Sequence, residues 1–90
     1  MALYTVVLDF HGGTYISQIH ASSEISALNI WKSDIRKNLL ELSHEDVENL
    51  NLSLENEEVV PLSNVVNVWC STATVNESLA LINIVKTNAD

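Results

Sequence analysis

Hydrophobic and polar positions alternate with a period of two where this chain begins. Tyr4, Val6, Leu8 and Phe10 share one face and Thr5 and Asp9 the other, in a stretch rich in β-branched and aromatic residues. The alternation predicts a half-buried strand over residues 3–10. His11-Gly12-Gly13 follows and holds both glycines of the chain side by side, where a tight turn needs positive φ. Thr14 to His20 reads as the returning strand, so the chain opens with a β-hairpin.

The period then changes. Leu28, Trp31, Ile35, Leu39 and Leu42 recur at steps of three and four, which predicts an amphipathic helix over residues 23–41. Ser22 and Ser23 offer a hydroxyl N-cap, and Glu24 sits in the first turn. Lys32, Asp34, Arg36 and Lys37 fall on the wet side. Ser43-His44-Glu45-Asp46 has the form of a capping box and, with Val47 and Leu50, predicts a short second helix near 44–50.

The rest reads as strands. Asn51 to Leu54 is a candidate short strand, Glu55 to Glu58 a turn, and Val59-Val60 a pairing segment stopped by Pro61 at an edge. Residues 65–72 alternate again, with Val66, Val68 and Cys70 inward and Asn67, Trp69 and Ser71 outward. Thr74 to Glu77 is a polar connection. Ser78 to Val85 is nearly continuous in apolar residues, which suits the middle of a sheet. The expected fold is α+β: an antiparallel sheet in β-β-α-(α)-(β)-β-β order, with one main helix packed on one face. The 90 residues suit a single domain spanning 1–90.

Charge narrows the partners. Twelve acids against four bases give a formal net charge of −8. Such a chain repels nucleic-acid phosphates and anionic membrane surfaces, so neither is an expected partner. A protein partner is expected instead, either a second copy of the chain or a basic protein. Seven acids, Glu41, Glu45, Asp46, Glu48, Glu55, Glu57 and Glu58, crowd one segment with no Lys or Arg among them. They are the candidate contacts to a basic partner, or simply a solvated face. Trp69, on an outer strand face, needs cover from a loop, a helix or another protomer, and joins Glu45, Asp46, Glu48, Glu55, Glu57 and Glu58 as a candidate partner-binding residue.

Candidate chemistry is sparse. His11, His20 and His44 have no ligand-spaced partners, so no metal site and no cofactor are expected. Cys70, placed mid-strand on the apolar side, is expected to be buried and slow to react. A single cysteine allows no intramolecular disulfide. The N-terminus shows no signal-peptide pattern, and no apolar run approaches the roughly 20 residues of a membrane span. A cytoplasmic location follows as the expectation.

Tyr4-Thr5-Val6-Val7-Leu8, Gly12-Gly13-Thr14-Tyr15-Ile16-Ser17 and the helical Ala27-Leu28 together resemble the start of HicB-type antitoxins. The resemblance covers the N-terminal third. It implies a hairpin-and-helix fold that binds and inhibits a basic RNA-cleaving toxin. The family's Pro- and Gly-rich stretch between hairpin and helix is missing here, as is its appended DNA-binding segment.

Three functional readings remain. The first is a non-enzymatic interaction or regulatory module, working as a homodimer or within a complex, with no catalytic residues. The second is an antitoxin or immunity-type inhibitor of a basic partner. The third is a small enzyme or ligand binder with a site near the Gly12-Gly13 turn, drawing on His11, His20, Tyr15 and Cys70.

Overall fold

The computed structural model describes residues 1–39, 42–54, 59–75 and 77–88, the side chains of Arg36, Asn38 and Asn88 excepted. The chain folds as the α+β class predicts. β1 (Ala2–Phe10) and β2 (Gly13–Ala21) form the opening hairpin. α1 (Glu24–Ser33), α2 (Ile35–Asn38) and α3 (His44–Leu54) follow, then β3 (Val60–Pro61), β4 (Val68–Val75) and β5 (Ser78–Asn88). All pairings are antiparallel, in the order β2-β1-β5-β4-β3. The last strand is central, as its apolar run predicts.

The hairpin turn differs by one residue from the expectation. His11 (φ 51°) and Gly12 (φ 75°) are the two turn residues, while Gly13 opens β2. Two consecutive left-handed residues make a type I′ turn, whose twist matches that of the strands it joins. Gly13 answers a different need. A Cβ there would lie 2.7 Å from the Tyr15 hydroxyl oxygen, because that ring folds back over it.

The core sits on one side of the sheet. Tyr4, Val6, Leu8 and Phe10 of β1 and Ala80, Ile82 and Ile84 of β5 are buried, and Ala73 and Val75 of β4 continue the layer. Leu28, Trp31, Ile35 and Leu39 close over them, so the predicted stripe is real. The helix carrying it is not continuous. It breaks at Asp34 (φ −107°, ψ 22°), and the stripe is shared between α1 and α2. The Ser23 hydroxyl caps α1 by accepting from the Ser26 N–H at 3.1 Å.

α3 is longer than expected. The candidate strand at Asn51 to Leu54 is helical, and Val47, Leu50 and Leu54 form its buried stripe at helical spacing. The Ser43 hydroxyl accepts from the Asp46 N–H at 3.1 Å, as the capping pattern predicts. At the other end, the Ser53 hydroxyl donates to the Thr74 carbonyl at 3.1 Å and ties α3 to β4.

The face assignment of β4 is the main correction. Trp69, Ser71, Ala73 and Val75 point toward the helices, and Cys70 points away. The parity is set by β5, where Trp69 lies opposite the buried Ile84 and Cys70 opposite Asn83. The strand also starts later than expected. Val65 and Val66 are exposed in a loop with left-handed Asn64 (φ 65°) and Asn67 (φ 62°), closed by Leu62 N–H donating to the Val68 carbonyl at 3.0 Å. It also runs further, through the expected connection at Thr74 to Val75. Among the described residues, no helix is long and apolar enough to cross a membrane.

Two outcomes follow for stability. Gly12→Ala forces a Cβ into a left-handed turn position and should cost about 1 kcal/mol in chemical denaturation, while His11→Asn, a better left-handed residue, should cost nothing or stabilise. The second outcome concerns Tyr4. Burial, then the Glu24 carboxylate, holds its hydroxyl above the usual tyrosine range. The fold thus favours neutral Tyr4. Its contribution is intact below an unfolded value near 10 and is lost as pH rises beyond it. Thermal melts of Tyr4→Phe should fall less steeply above pH ~10 than those of the parent.

Candidate interaction surface

The acids singled out in the sequence do not form one described cluster. Glu45, Asp46 and Glu48 lie on α3, with Glu45 and Glu48 exposed. Glu45 and Asp46 occupy its first turn, where carboxylates stabilise the N-terminal end of a helix. Glu48 lies 3.9 Å from His44 one turn away. Glu41, Glu55, Glu57 and Glu58 fall outside the described residues.

Trp69 is not the uncovered outer tryptophan that its sequence position suggested. It packs against the core and meets the buried Tyr4 ring at a centroid distance of 6.2 Å, tilted by 52°. Its cover comes from within the chain, and it stays partly buried on the core side of the sheet.

The groups of the turn-site reading do not converge. His11 sits in the turn against Phe10, with ring centroids 4.0 Å apart. His20 lies opposite Leu3 at the far end of β2, and nine residues of extended chain put it roughly 25–30 Å away. Tyr15 faces the helices and Cys70 the other side of the sheet. A shallow cavity of about 320 Å³ beside the turn is lined by Asp9, His11, Thr14, Leu79 and Leu81. Asp9 is already engaged there, accepting from the Thr14 hydroxyl at 2.8 Å. A second hollow, of about 370 Å³, lies between α1–α2 and α3 and mixes Lys32 and Lys37 with Asp34 and Glu48. Lys32 Nζ donates to the Leu54 carbonyl at 3.4 Å. Among the described residues, no group of three or more His, Cys, Asp and Glu side chains is placed to hold a metal ion.

What the fold does assemble is a sheet face. The described helices cover one side, and the alternate residues of every strand line the other. Strand register brings Ile16, Val7, Asn83, Cys70 and Val60 into one row across all five strands. A second row holds Gln18, Thr5, Val85 and Val68, and a third Thr14, Asp9, Leu81 and Thr72. Ile16 is 66% exposed and Leu79 63%. Val7, Leu81, Val85, Val68 and Cys70 are half-buried by their neighbours. The polar groups bond within the face: Gln18 Nε2 donates to Thr5 Oγ1 at 3.2 Å, and Thr5 contacts Thr87 hydroxyl to hydroxyl.

The electrostatics of this face are unlike those of the chain. Across those three rows the only carboxylate is Asp9, in a protein of net charge −8. The other described acids, Glu24, Asp34, Glu45, Asp46, Glu48 and Glu77, lie on helices and turns rather than in these rows. The period-two pattern of β1 and β2 held part of this signal, with Val7 and Ile16 at outward positions. The part contributed by β4 was hidden by the reversed parity.

The Cys70 placement has a direct consequence. Its thiol lies half-buried on the open face, so a small thiol reagent should label it stoichiometrically in the native protein without denaturant. Labelling seen only at the rate of global unfolding would contradict that placement.

In comparison with known proteins, no protein-family model, no curated protein and no solved structure matches this chain.

Proposed function

We propose that this chain is a cytoplasmic, non-enzymatic interaction domain that docks a protein partner on the open face of its sheet. The observation that carries the reading is the row Ile16–Val7–Asn83–Cys70–Val60, apolar but for one amide and one thiol. Exposed apolar patches of several hundred Å² on a soluble domain mark interaction sites. The four long strands, β2, β1, β5 and β4, spaced about 4.8 Å apart and each about 25–30 Å long, present roughly 500–600 Å², somewhat less than one side of an ordinary protein interface.

The chemistry of the face selects the partner. Its middle takes an apolar surface, and its Thr, Gln and Asn side chains suit neutral hydrogen-bonding groups. A basic partner gains little there. An inhibitor of a basic protein would use Glu45, Asp46 and Glu48 on α3 instead, in the other layer of the fold. An enzymatic reading finds little support in titratable groups spread over both faces and both ends of the sheet.

Photo-crosslinking in the native cell separates these readings. A photoreactive residue at Leu79 should give a protein adduct of one defined mass, lost when Leu81→Lys is added. The same residue at Glu48 should give none. An adduct from position 48 alone, or no adduct from position 79, would sink the proposal.

A further inference from the structure

The two edges of the sheet are built differently. β3 has two residues, one of them Pro61, and this shields the β4 edge it covers. β2 has nine residues in unbroken register with β1, and no strand among the described residues pairs with its outer side. It carries no proline, no Lys, Arg, Asp or Glu, and no bulge. The strand itself thus lacks the charge, proline and bulge that commonly block edge-to-edge pairing, and α1 packs against its helix-side face.

The hairpin turn decides which backbone groups are free. A two-residue type I′ loop makes Phe10 and Gly13 a hydrogen-bonded pair. Bonded pairs alternate along the ladder, so Gly13, Tyr15, Ser17, Ile19 and Ala21 bond to β1. Thr14, Ile16, Gln18 and His20 therefore turn their N–H and C=O groups to the free edge. Apolar groups flank that edge on both sides. Ile16 stands on the open face, and half-buried Tyr15 and Ile19 lie on the helix side. Ile30, 37% exposed, projects from the flank of α1 opposite the one whose Lys32 reaches Leu54.

We infer that β2 pairs antiparallel with β2 of a second copy, joining two five-stranded sheets into one of ten strands. Self-pairing suits this edge on three counts. A two-fold axis at Ser17 sets Thr14 opposite His20 and Ile16 opposite Gln18 of the other copy, and each bonded pair contributes two hydrogen bonds. No carboxylate lies on β2, so two chains of net charge −8 meet without opposed acids at the seam. The seam is about 30 Å long and about 15–20 Å deep including Ile30, roughly 1,000 Å² in total, the lower end of specific interfaces. The pairing uses the edge and leaves the open face free. The two open faces become one surface of twice the width.

Sedimentation equilibrium of the full chain at 1–100 μM tests this, with three variants. The parent should be dimeric. Gln18→Pro removes an outward N–H that β1 does not use. It should stay folded by circular dichroism and raise the dimerisation midpoint on the order of thirtyfold. Ser17→Cys in a Cys70→Ala background should form an intermolecular disulfide under mild oxidation, because the axis brings the two Cα atoms to about 4.5 Å. Leu81→Lys, on the open face, should leave the dimer intact. A monomeric parent overturns the inference, as does a dimer that survives Gln18→Pro and gives no Ser17→Cys disulfide. A dimer lost in Leu81→Lys but kept in Gln18→Pro overturns the edge pairing while supporting the open face as a docking surface.

Discussion

β1 pairs with β5 along the centre of the sheet, and most other features of the fold hang on that register. Val6 lies opposite Ile84 and Leu8 opposite Ile82, four residues buried on the same side. These contacts join the start of the chain to its end, so they carry the largest loop-closure cost in the molecule and only form with the apolar layer above them. Once made, they place one hairpin on each side of the centre. β2 is driven to one edge. β4 is aligned so that Trp69, Ala73 and Val75 follow the buried parity of β5. The Tyr4–Trp69 contact, between residues on strands that do not pair, is a product of this register.

The same constraint explains why the sheet has one covered face and one open one. The segment from β2 to β3 must travel from one edge of the sheet to the other. Its helices do so over a single side, with α1 against β2 and α3 against β4. Each brings a stripe of about three or four apolar residues and a cap made from serine, Ser23 for α1 and Ser43 for α3. The break at Asp34 lets the stripe turn from α1 into α2 while Leu28, Trp31, Ile35 and Leu39 all stay buried.

Charge is sorted by the same architecture. In the five strands the only Asp, Glu, Lys or Arg residues are Asp9 and Lys86. Strands here are made from Val, Ile, Leu, Thr and aromatic residues, and solvent-facing positions use Thr, Ser, Gln and Asn in place of charges. Among the described acids, Glu24, Glu45 and Asp46 lie in the first turns of helices, where carboxylates stabilise the helix start. Among the described residues, the open face and the β2 edge are thereby nearly free of charge, so a protein surface can approach either at little electrostatic cost.

The sequence by itself determined the local elements. Alternation in β1 named its buried residues, the glycine pair located the turn, the stripe from Leu28 to Leu39 named the helix layer, and the serine caps marked two helix starts. The long apolar run of β5 was enough to place it centrally. Tertiary structure alone decided the rest. The Val-Val-Asn-Val-Trp-Cys-Ser-Thr run from Val65 to Thr72 is apolar at both parities, so either face is locally acceptable, and only pairing with Ile84 turns Trp69 in and Cys70 out. Leu50, Leu52 and Leu54 satisfy a period of two as well as Val47, Leu50 and Leu54 satisfy a helix, and burial selected the helix while leaving Leu52 61% exposed. That these nearly uncharged rows share one face, and that β2 stands at an edge of the sheet, depends on which strands are neighbours. That information resides in contacts between residues as far apart as Leu3 and Asn88, beyond the reach of any local periodicity.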